Sequence, residues 1–382
     1  MESTVLLVAT EQHWLGTARM PHDLALAGWS VALLAPRGTL AERSRCIDKI
    51  AHLPDNATPL QWVHAFAGTV RAVAPQLVLP CDDVSFRLLA MLVVAPPANL
   101  QPALHAELAA LIVRSLGDPA HYRTSVDKTM ISPAAEAAGV RVPPYAIVED
   151  AAAAERFAAQ HGWPIVLKRG YSSGGQGVAV CADQAALWRE FARLGRAPTL
   201  DLDDGDARRY LVQAFVPGPT RYFAATAWQG ELLCGYAVDK IAGDPGGPAS
   251  VVRDFDIPEL FDSVARLTRA LGVTGVFAPE YIVDARSGDN VLVEINRRVT
   301  PGTHRGELFG MSSGAALLAA MTGAPSPVRA RLAPDEELFF VSFPHEWLRD
   351  PRSPYLRQPK YIVDVPWDDP ELVEAFLAER HR

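Results

Sequence analysis

Two stretches of this 382-residue chain hold side chains that could do chemistry. In the first, Ile165-Val166-Leu167-Lys168-Arg169-Gly170-Tyr171-Ser172-Ser173-Gly174-Gly175-Gln176-Gly177-Val178, a lysine ends an apolar strand and a Gly/Ser-rich turn follows. A buried ammonium is costly without a counter-charge, and small residues let backbone N–H groups approach a ligand closely. Together they suit a polyphosphate. The lysine precedes the glycines, which separates the pattern from a Walker A loop, where it follows them. A Gly-Ser hairpin with a surface lysine is the alternative reading of this segment alone.

The second stretch pairs Phe277-Ala278-Pro279-Glu280-Tyr281-Ile282-Val283-Asp284 with Val291-Leu292-Val293-Glu294-Ile295-Asn296-Arg297-Arg298 across Ala285-Arg286-Ser287-Gly288-Asp289. The spacing predicts a hairpin with Glu280 beside Glu294, and Asn296 on the face of Glu294 because strand side chains alternate. Two carboxylates and an amide oxygen are hard ligands suited to Mg²⁺ (or Mn²⁺). Without a cation the like charges repel. The alternative has both acids facing solvent.

The elements that must position these groups follow from hydrophobic periodicity. Strand-like runs at Val5–Ala9, Trp29–Ala35 and Ala74–Pro80, with helices over Leu15–Ala27 and Val84–Val94, predict a small doubly wound α/β domain. No GxGxxG follows its first strand, so no dinucleotide site is expected there. Leu104–Leu116 reads as a connecting helix, and Asp127–Ala138 as a helix ended by Gly139. After the extended Val142-Pro143-Pro144 come a helix at Ala151–His161, strands at Ile165–Lys168 and Val178–Cys181, and a helix at Gln184–Leu194. Thr199–Arg208, rich in Asp and Gly, reads as a loop. Tyr210–Phe215, Arg221–Trp228 and Leu232–Val238 predict a second, antiparallel sheet, followed by an amphipathic helix at Pro258–Leu271. Near the end lie a strand at Phe339–Phe343, Trp347 and Trp367 as packing residues, and a helix at Asp369–Glu379 opened by Trp367-Asp368-Asp369-Pro370. We expect this tail to support the second lobe.

Composition bounds the function classes. The chain is 49% hydrophobic and 21% charged, as globular proteins are, and its length implies more than one lobe. A net charge of -8 supplies no basic field for nucleic acid. The opening Met1-Glu2-Ser3-Thr4-Val5-Leu6-Leu7-Val8-Ala9 has an acid in place of a basic region and too short an apolar run for a signal peptide or membrane span. Cys46, Cys81, Cys181 and Cys234 are scattered with no CxxC pair, which fits reduced thiols and a cytoplasmic location.

The two chemical segments, in this order, resemble the ATP-grasp superfamily in its carboxylate-amine ligase type, similar to carbamoyl-phosphate synthetase large subunits and biotin carboxylases. The resemblance covers roughly residues 1 to 325. It implies that Lys128 of Asp127-Lys128 and Lys168 contact ATP, and that Ser172, Ser173, Gly174, Gly175, Gln176 and Gly177 form a loop over the phosphates. Gln213-Ala214-Phe215-Val216-Pro217-Gly218 resembles the interlobe hinge, so Gln213, Phe215 and Val216 would hold adenine. Glu280, Glu294 and Asn296 fall on the magnesium ligands, and Arg298 on the arginine of the Glu-x-Asn-Pro-Arg motif. Arg221, Asp239, Lys240 and Arg253 lie where the family places substrate or γ-phosphate contacts, which makes Arg298, Lys240 and Arg253 the implied catalytic cations, each with a surface ion pair as the alternative. His304 and Arg305 would face the acceptor substrate, or solvent.

Three departures qualify the match. Thr220 stands where many members have an acid for ribose, Arg297 replaces the motif's proline, and Thr300-Pro301-Gly302 replaces the Gln-x-Glu of biotin carboxylases. Arg297 would favour an anionic substrate or face solvent, and the missing Gln-x-Glu argues against carboxylation.

The implied fold is α/β: an N-terminal doubly wound preATP-grasp domain (1–115), then an ATP-grasp module of two α+β lobes (116–213 with the nucleotide lid, 214–325 with the metal site), and a C-terminal extension (326–382) on the second lobe. The implied activity uses ATP and Mg²⁺ to convert a small carboxylate to an acylphosphate and join it to an amine. Neither nucleic acid nor membrane is an expected partner, and a homodimer is the commonest assembly. A carboxylase, a thioester-forming ligase and a non-catalytic ATP-binding regulator are the alternatives.

Overall fold

Near-continuous aliphatic strands such as Val5-Leu6-Leu7-Val8 need cover on both faces, which parallel sheets provide. A computed structural model describes residues 3–98, 100–171, 177–196, 209–244, 247–255, 257–325 and 338–379. The chain divides into two units, one of Met1–Ala120, Tyr222–Ala278 and Asn296–Arg382, the other of His121–Arg221 and Pro279–Ile295.

The first unit opens with β1 (Thr4–Val8), α1 (Leu15–Leu26), β2 (Ser30–Pro36), β3 (Lys49–Leu53), α2 (Pro59–Val73), β4 (Leu77–Pro80), α3 (Asp83–Val94) and α4 (Pro102–Leu116). The strands form a parallel sheet ordered β3-β2-β1-β4. β3 and α2 add to the expected elements. α2 starts at a capping box between Thr58 and Gln61 with Pro59 in its first turn.

The second unit contains α5 (Tyr122–Val126), α6 (Lys128–Ala137), β5 (Tyr145–Val148), α7 (Ala151–His161), β6 (Ile165–Arg169), β7 (Val178–Cys181), α8 (Gln184–Arg196) and β8 (Tyr210–Ala214). Its sheet is antiparallel, ordered β5-β8-β6-β7. Ile165, Leu167, Tyr210 and Val212 share a core with Phe157 of α7 and Leu187 and Leu194 of α8. Strand alternation therefore turns Lys168 and Gln213 to the opposite face, where Gln213 Nε2 donates to Ser132 Oγ of α6 at 3.0 Å.

The chain continues through β9 (Thr220–Trp228), β10 (Glu231–Gly243), β11 (Ala249–Phe255), α9 (Pro258–Ala270), β12 (Gly275–Val283), β13 (Asn290–Asn296), α10 (Ser313–Thr322), β14 (Phe339–Ser342), α11 (His345–Arg349), β15 (Tyr361–Asp364) and α12 (Pro370–Ala378). In the first unit β10 and β11 are antiparallel, β14 pairs antiparallel with β11, and β15 runs parallel to β14. The second unit holds the turn joining β12 to β13, closed by a hydrogen bond from Asp284 N to Asp289 O at 2.9 Å.

The tail corrects one expectation. Its strands extend the β10–β11 sheet, but α12 belongs to the core of the N-terminal sheet: Leu372 and Phe376 pack with Val5, Leu7 and Leu33. Trp347 packs against this core, whereas Trp367 is 78% exposed and supports nothing. Asp369 precedes α12 as read, yet its carboxylate accepts from Ser44 Oγ (2.8 Å) and Arg45 N (3.1 Å) and gives α12 no side-chain cap. The C-terminal helix is thus part of the first sheet's folding unit. Phe376→Ala should therefore cost about 3–5 kcal/mol, read as a lower urea midpoint; a loss below about 1 kcal/mol would show that α12 is peripheral.

Candidate functional site

In the second unit the start of α6 is built by Asp127. Its buried carboxylate accepts from Thr129 N (2.9 Å) and Thr129 Oγ1 (2.7 Å), a cap that fixes where Lys128 leaves the helix. Lys128 N donates to Gly170 O at 2.9 Å, and a Cβ added at Gly170 would meet Asp127 Oδ1 at 2.8 Å. The glycine after β6 is small because the Asp-Lys turn packs on it.

Both lysines reach the β12–β13 segment of the same unit. Lys128 Nζ donates to Glu294 Oε1, and Lys168 Nζ donates to Val293 O at 2.7 Å. Burial pushes the Lys168 ammonium down to about 8; Glu294 and Glu280 oppose that shift, while Lys128 adds to it. Two ammonium groups and two carboxylates thus form one compensated cluster. The hairpin is anchored from several sides: Leu292 N donates to Arg141 O (2.8 Å), Val283 N to Pro219 O (3.0 Å) and Ala285 N to Pro217 O (2.8 Å). Gly218 takes φ +156°, and a Cβ there would lie 1.8 Å from Val283 O, so the expected hinge needs its glycine for this close approach.

The other expected nucleotide residues sit as follows. Gly177 O accepts from Arg169 N at 2.8 Å, and Ser172, Ser173, Gly174, Gly175 and Gln176 lie outside the described residues, as does Thr199–Arg208. Gln213 is buried against α6, Val216 is half-buried and Phe215 is exposed. Arg221 bonds Asn290 Oδ1 at 2.8 Å, which ties the start of β9 to the start of β13.

The first unit holds the remaining expected residues. Arg298 Nε lies 3.1 Å from Asp83 Oδ1, its Nη2 is 3.2 Å from Asn296 Oδ1, and its guanidinium stacks 4.5 Å from the Trp14 ring centroid. Asp83 opens α3 and Trp14 precedes α1, so Arg298 stands at the carboxyl ends of β1 and β4. In a sheet ordered β3-β2-β1-β4 that is the switch point where α/β folds bind ligands. Asp82 joins the two loops, accepting from Thr10 Oγ1 (2.8 Å) while capping α3.

Arg297 does not face solvent, one of its two expected settings. It is 4% exposed, donates to Leu116 O at 2.7 Å and lies over the Phe86 ring. Lys240 Nζ donates to Gly247 O (2.8 Å) and Asp244 O (3.1 Å), bracing the β10–β11 turn, and Arg253 pairs across the strands with Asp239 at 3.6 Å. His304 and Arg305 are buried beside Asp364 rather than solvated. Trp14, Arg19 and Asp364 were not singled out from sequence; Trp14 does lie in the loop after the first strand, the usual ligand-facing loop of such a sheet, and Arg19 in the helix that follows.

Known proteins resemble this chain in sequence and in fold. The family model described as the carbamoyl-phosphate synthase L chain, ATP binding domain, matches residues 127–203. The carbamoyl phosphate synthase large chain of Rubrobacter xylanophilus is 28% identical over 220 residues, which are 54% of this chain and 19% of that protein. The chain thus spans about a fifth of that relative's length.

Among solved structures, the biotin carboxylase domain of Hydrogenobacter thermophilus 2-oxoglutarate carboxylase, with MgADP and bicarbonate, aligns at a TM-score of 0.63 and 15% identity over 85% of this chain and 72% of that one. N5-carboxyaminoimidazole synthetase from Staphylococcus aureus, with ADP, aligns at 0.63 and 12% identity over 88% and 81%. The chain thus shares the mixed α/β fold of these ATP-dependent enzymes' structures, and from the Asp127 cap through residue 203 it is similar in sequence to the carbamoyl-phosphate synthase ATP binding domain.

Proposed function

We propose that the chain is an ATP- and Mg²⁺-dependent ligase that activates a small carboxylate as an acylphosphate and joins it to an amine, releasing ADP and phosphate. The observation that carries this is the cluster of Lys128, Lys168, Glu280 and Glu294. A ligand with charges of both signs can enter it at little electrostatic cost: phosphates take the ammonium groups, a divalent cation takes the carboxylates, and no buried charge is left alone. Mg·ATP is such a ligand.

The donor set fits magnesium. Among the described residues no three His, Cys, Asp or Glu side chains converge to hold a metal unaided. Two carboxylates with the Asn296 amide suit a cation that completes its shell with phosphate and water. In this reading Glu280, Glu294 and Asn296 hold Mg²⁺, which when bound offsets the charge gathering on the transferred phosphoryl group. Lys128 and Lys168 bind phosphate oxygens, and Gln213, Phe215 and Val216 flank adenine. Arg298 steadies the acylphosphate; Lys240 and Arg253 join it only by exchanging their present partners. Thr300-Pro301-Gly302 contains no carboxylate to manage bicarbonate, which favours an amine acceptor over carboxylation.

Glu294→Gln keeps an acceptor for Lys128 and removes the charge. It should abolish Mg²⁺-dependent ADP formation in a phosphate-release screen over pooled carboxylates and amines, with the circular dichroism spectrum unchanged; full turnover would refute the metal assignment. Lys168 adds a pH dependence. Its ammonium is charged below about pH 8 and neutral above it, so nucleotide affinity should fall between pH 7 and pH 9, approaching about tenfold per pH unit at the upper end. In Lys168→Arg, which stays charged, the profile should be flat. An equal slope in both proteins would assign the titration elsewhere.

A further inference from the structure

The proposed chemistry uses Arg298 but not the aromatic residue stacked on it. In the first unit the edges of that guanidinium are held by Asp83, whose Oδ1 lies 3.1 Å from Nε, and by Asn296, whose Oδ1 lies 3.2 Å from Nη2. Its flat face is held by Trp14, with the ring centroid 4.5 Å from the guanidinium carbon. The backbone beside it is held as well. Val299 is fully buried, so its peptide groups need partners within the protein. Its N–H donates to Pro80 O at 3.0 Å, and its carbonyl accepts from Trp14 Nε1 at 2.9 Å. One indole thus ties down both the peptide unit after Arg298 and the plane of the Arg298 side chain.

The local sequence is shaped for this contact. Trp14 is the N-cap residue of α1 but gives the helix no side-chain cap, and Gly16 follows in the first turn. Glycine weakens a helix relative to alanine. Here a Cβ on Gly16 would lie 2.9 Å from Trp14 Nε1 and 2.9 Å from the backbone carbon of Thr300. The bare glycine is therefore what lets the indole lie between α1 and the chain that carries Arg298.

An uncharged partner also suits the surroundings. Asp82 is occupied by donors of its own, accepting from Thr10 N (2.5 Å), Thr10 Oγ1 (2.8 Å), Glu11 N (3.1 Å) and Ser85 N (2.7 Å). Glu11 is closer to being a rival for the guanidinium. Partial burial raises its carboxyl, Asp82 and Asp83 add to the rise, and Arg298 lowers it, which places Glu11 within electrostatic reach of Arg298. Arginine pairs readily with carboxylates when it is free to turn. A second carboxylate would cancel the charge, whereas a ring fixes the plane and leaves the charge available to an anion.

We propose that Trp14 is a positioning residue, holding the Arg298 guanidinium in a single orientation at the carboxyl ends of β1 and β4 for the anionic acylphosphate. This role rests on the ligase reading, in which Arg298 steadies that intermediate. It adds that the loop after β1, through one indole, sets the rate of the step Arg298 serves. Phenylalanine would keep the stacking face and lose the donor to Val299 O, so the two halves of the contact can be separated.

The test uses the intact chain with ¹⁵N-labelled arginine and ¹H–¹⁵N correlation of the Nε–H groups at fixed pH, with Arg298→Lys assigning the Arg298 signal. Trp14→Ala should move that signal toward the position of free arginine and speed its exchange with water at least about tenfold. Gly16→Ala keeps the tryptophan and favours the helix, yet should move the signal in the same direction because the indole is pushed from Val299 O. Trp14→Phe should fall between wild type and Trp14→Ala. An Arg298 signal unmoved in shift and exchange in Trp14→Ala, or in both other variants should that one not fold, would overturn the role.

Turnover gives a second readout, in the screen over pooled carboxylates and amines. Trp14→Ala should lower kcat about 10- to 100-fold, with KM for Mg·ATP changed by less than about twofold. In an Arg298→Lys background the same substitution should cost less than about threefold. Equal losses in both backgrounds would show that Trp14 does not act through Arg298. Full kcat in Trp14→Ala ends this inference alone; a wild-type chain that releases no phosphate from any pool ends the ligase reading, while the arginine signals still decide how Arg298 is held.

Discussion

An ammonium taken out of water must be compensated, and that constraint on Lys168 organises the second unit. The residue is the penultimate one of a strand whose alternate side chains fill the core under α7 and α8, so its own side chain is delivered to the other face of the sheet. There a carbonyl of β13 accepts its proton while Glu294 and Glu280 supply opposite charge. Lys128 enters the same group from α6 because Asp127 caps that helix against Gly170. Strand, helix start and hairpin are held in register by one electrostatic requirement. Removing any one charge would strand another, which makes the cluster at once a structural tie and a site that only a ligand of mixed charge enters cheaply.

The first unit treats its cations differently. Arg298 is kept by a carboxylate, an amide oxygen and an aromatic face at the carboxyl ends of two parallel strands, where its donors are aimed but not exhausted. Arg297, one residue earlier, is spent on a backbone carbonyl and a phenyl ring. Both follow the end of β13 at Asn296, where the chain bends, and the two adjacent guanidiniums leave it toward different partners.

Much of this was legible in the sequence, for identifiable reasons. Lys168 at the end of an apolar run, and Glu280 and Glu294 on two strands joined by a Ser-Gly-Asp turn, follow from the period-2 pattern, and both strands form where the alternation puts them. The cap at Asp127 follows from its residue type. What was hidden depended on partners far along the chain. The apolar stripe of α12 announces a buried face but does not name the sheet it covers, some 360 residues earlier by sequence position. Arg297 looked like a surface or substrate residue because the carbonyl it serves belongs to Leu116. Lys240 looked like a phosphate ligand because nothing local reveals that a turn's carbonyls lie within its reach. β3 was missed for a different reason: its first residues are exposed, so its alternation is weak. The Thr58–Gln61 capping box that begins α2 was in plain view.

The central claim is that the Lys128–Lys168–Glu280–Glu294 cluster serves attack by a carboxylate on the γ-phosphate of ATP. That claim fixes the fate of one atom. The attacking carboxylate oxygen becomes the bridge of the acylphosphate, and when the amine takes the acyl carbon it leaves with phosphate. The decisive measurement is mass analysis of phosphate released by the chain from Mg·ATP, pooled ¹⁸O-carboxylates and amines in unlabelled water. One ¹⁸O in each phosphate is the result this account predicts; turnover that releases phosphate with no label would contradict it.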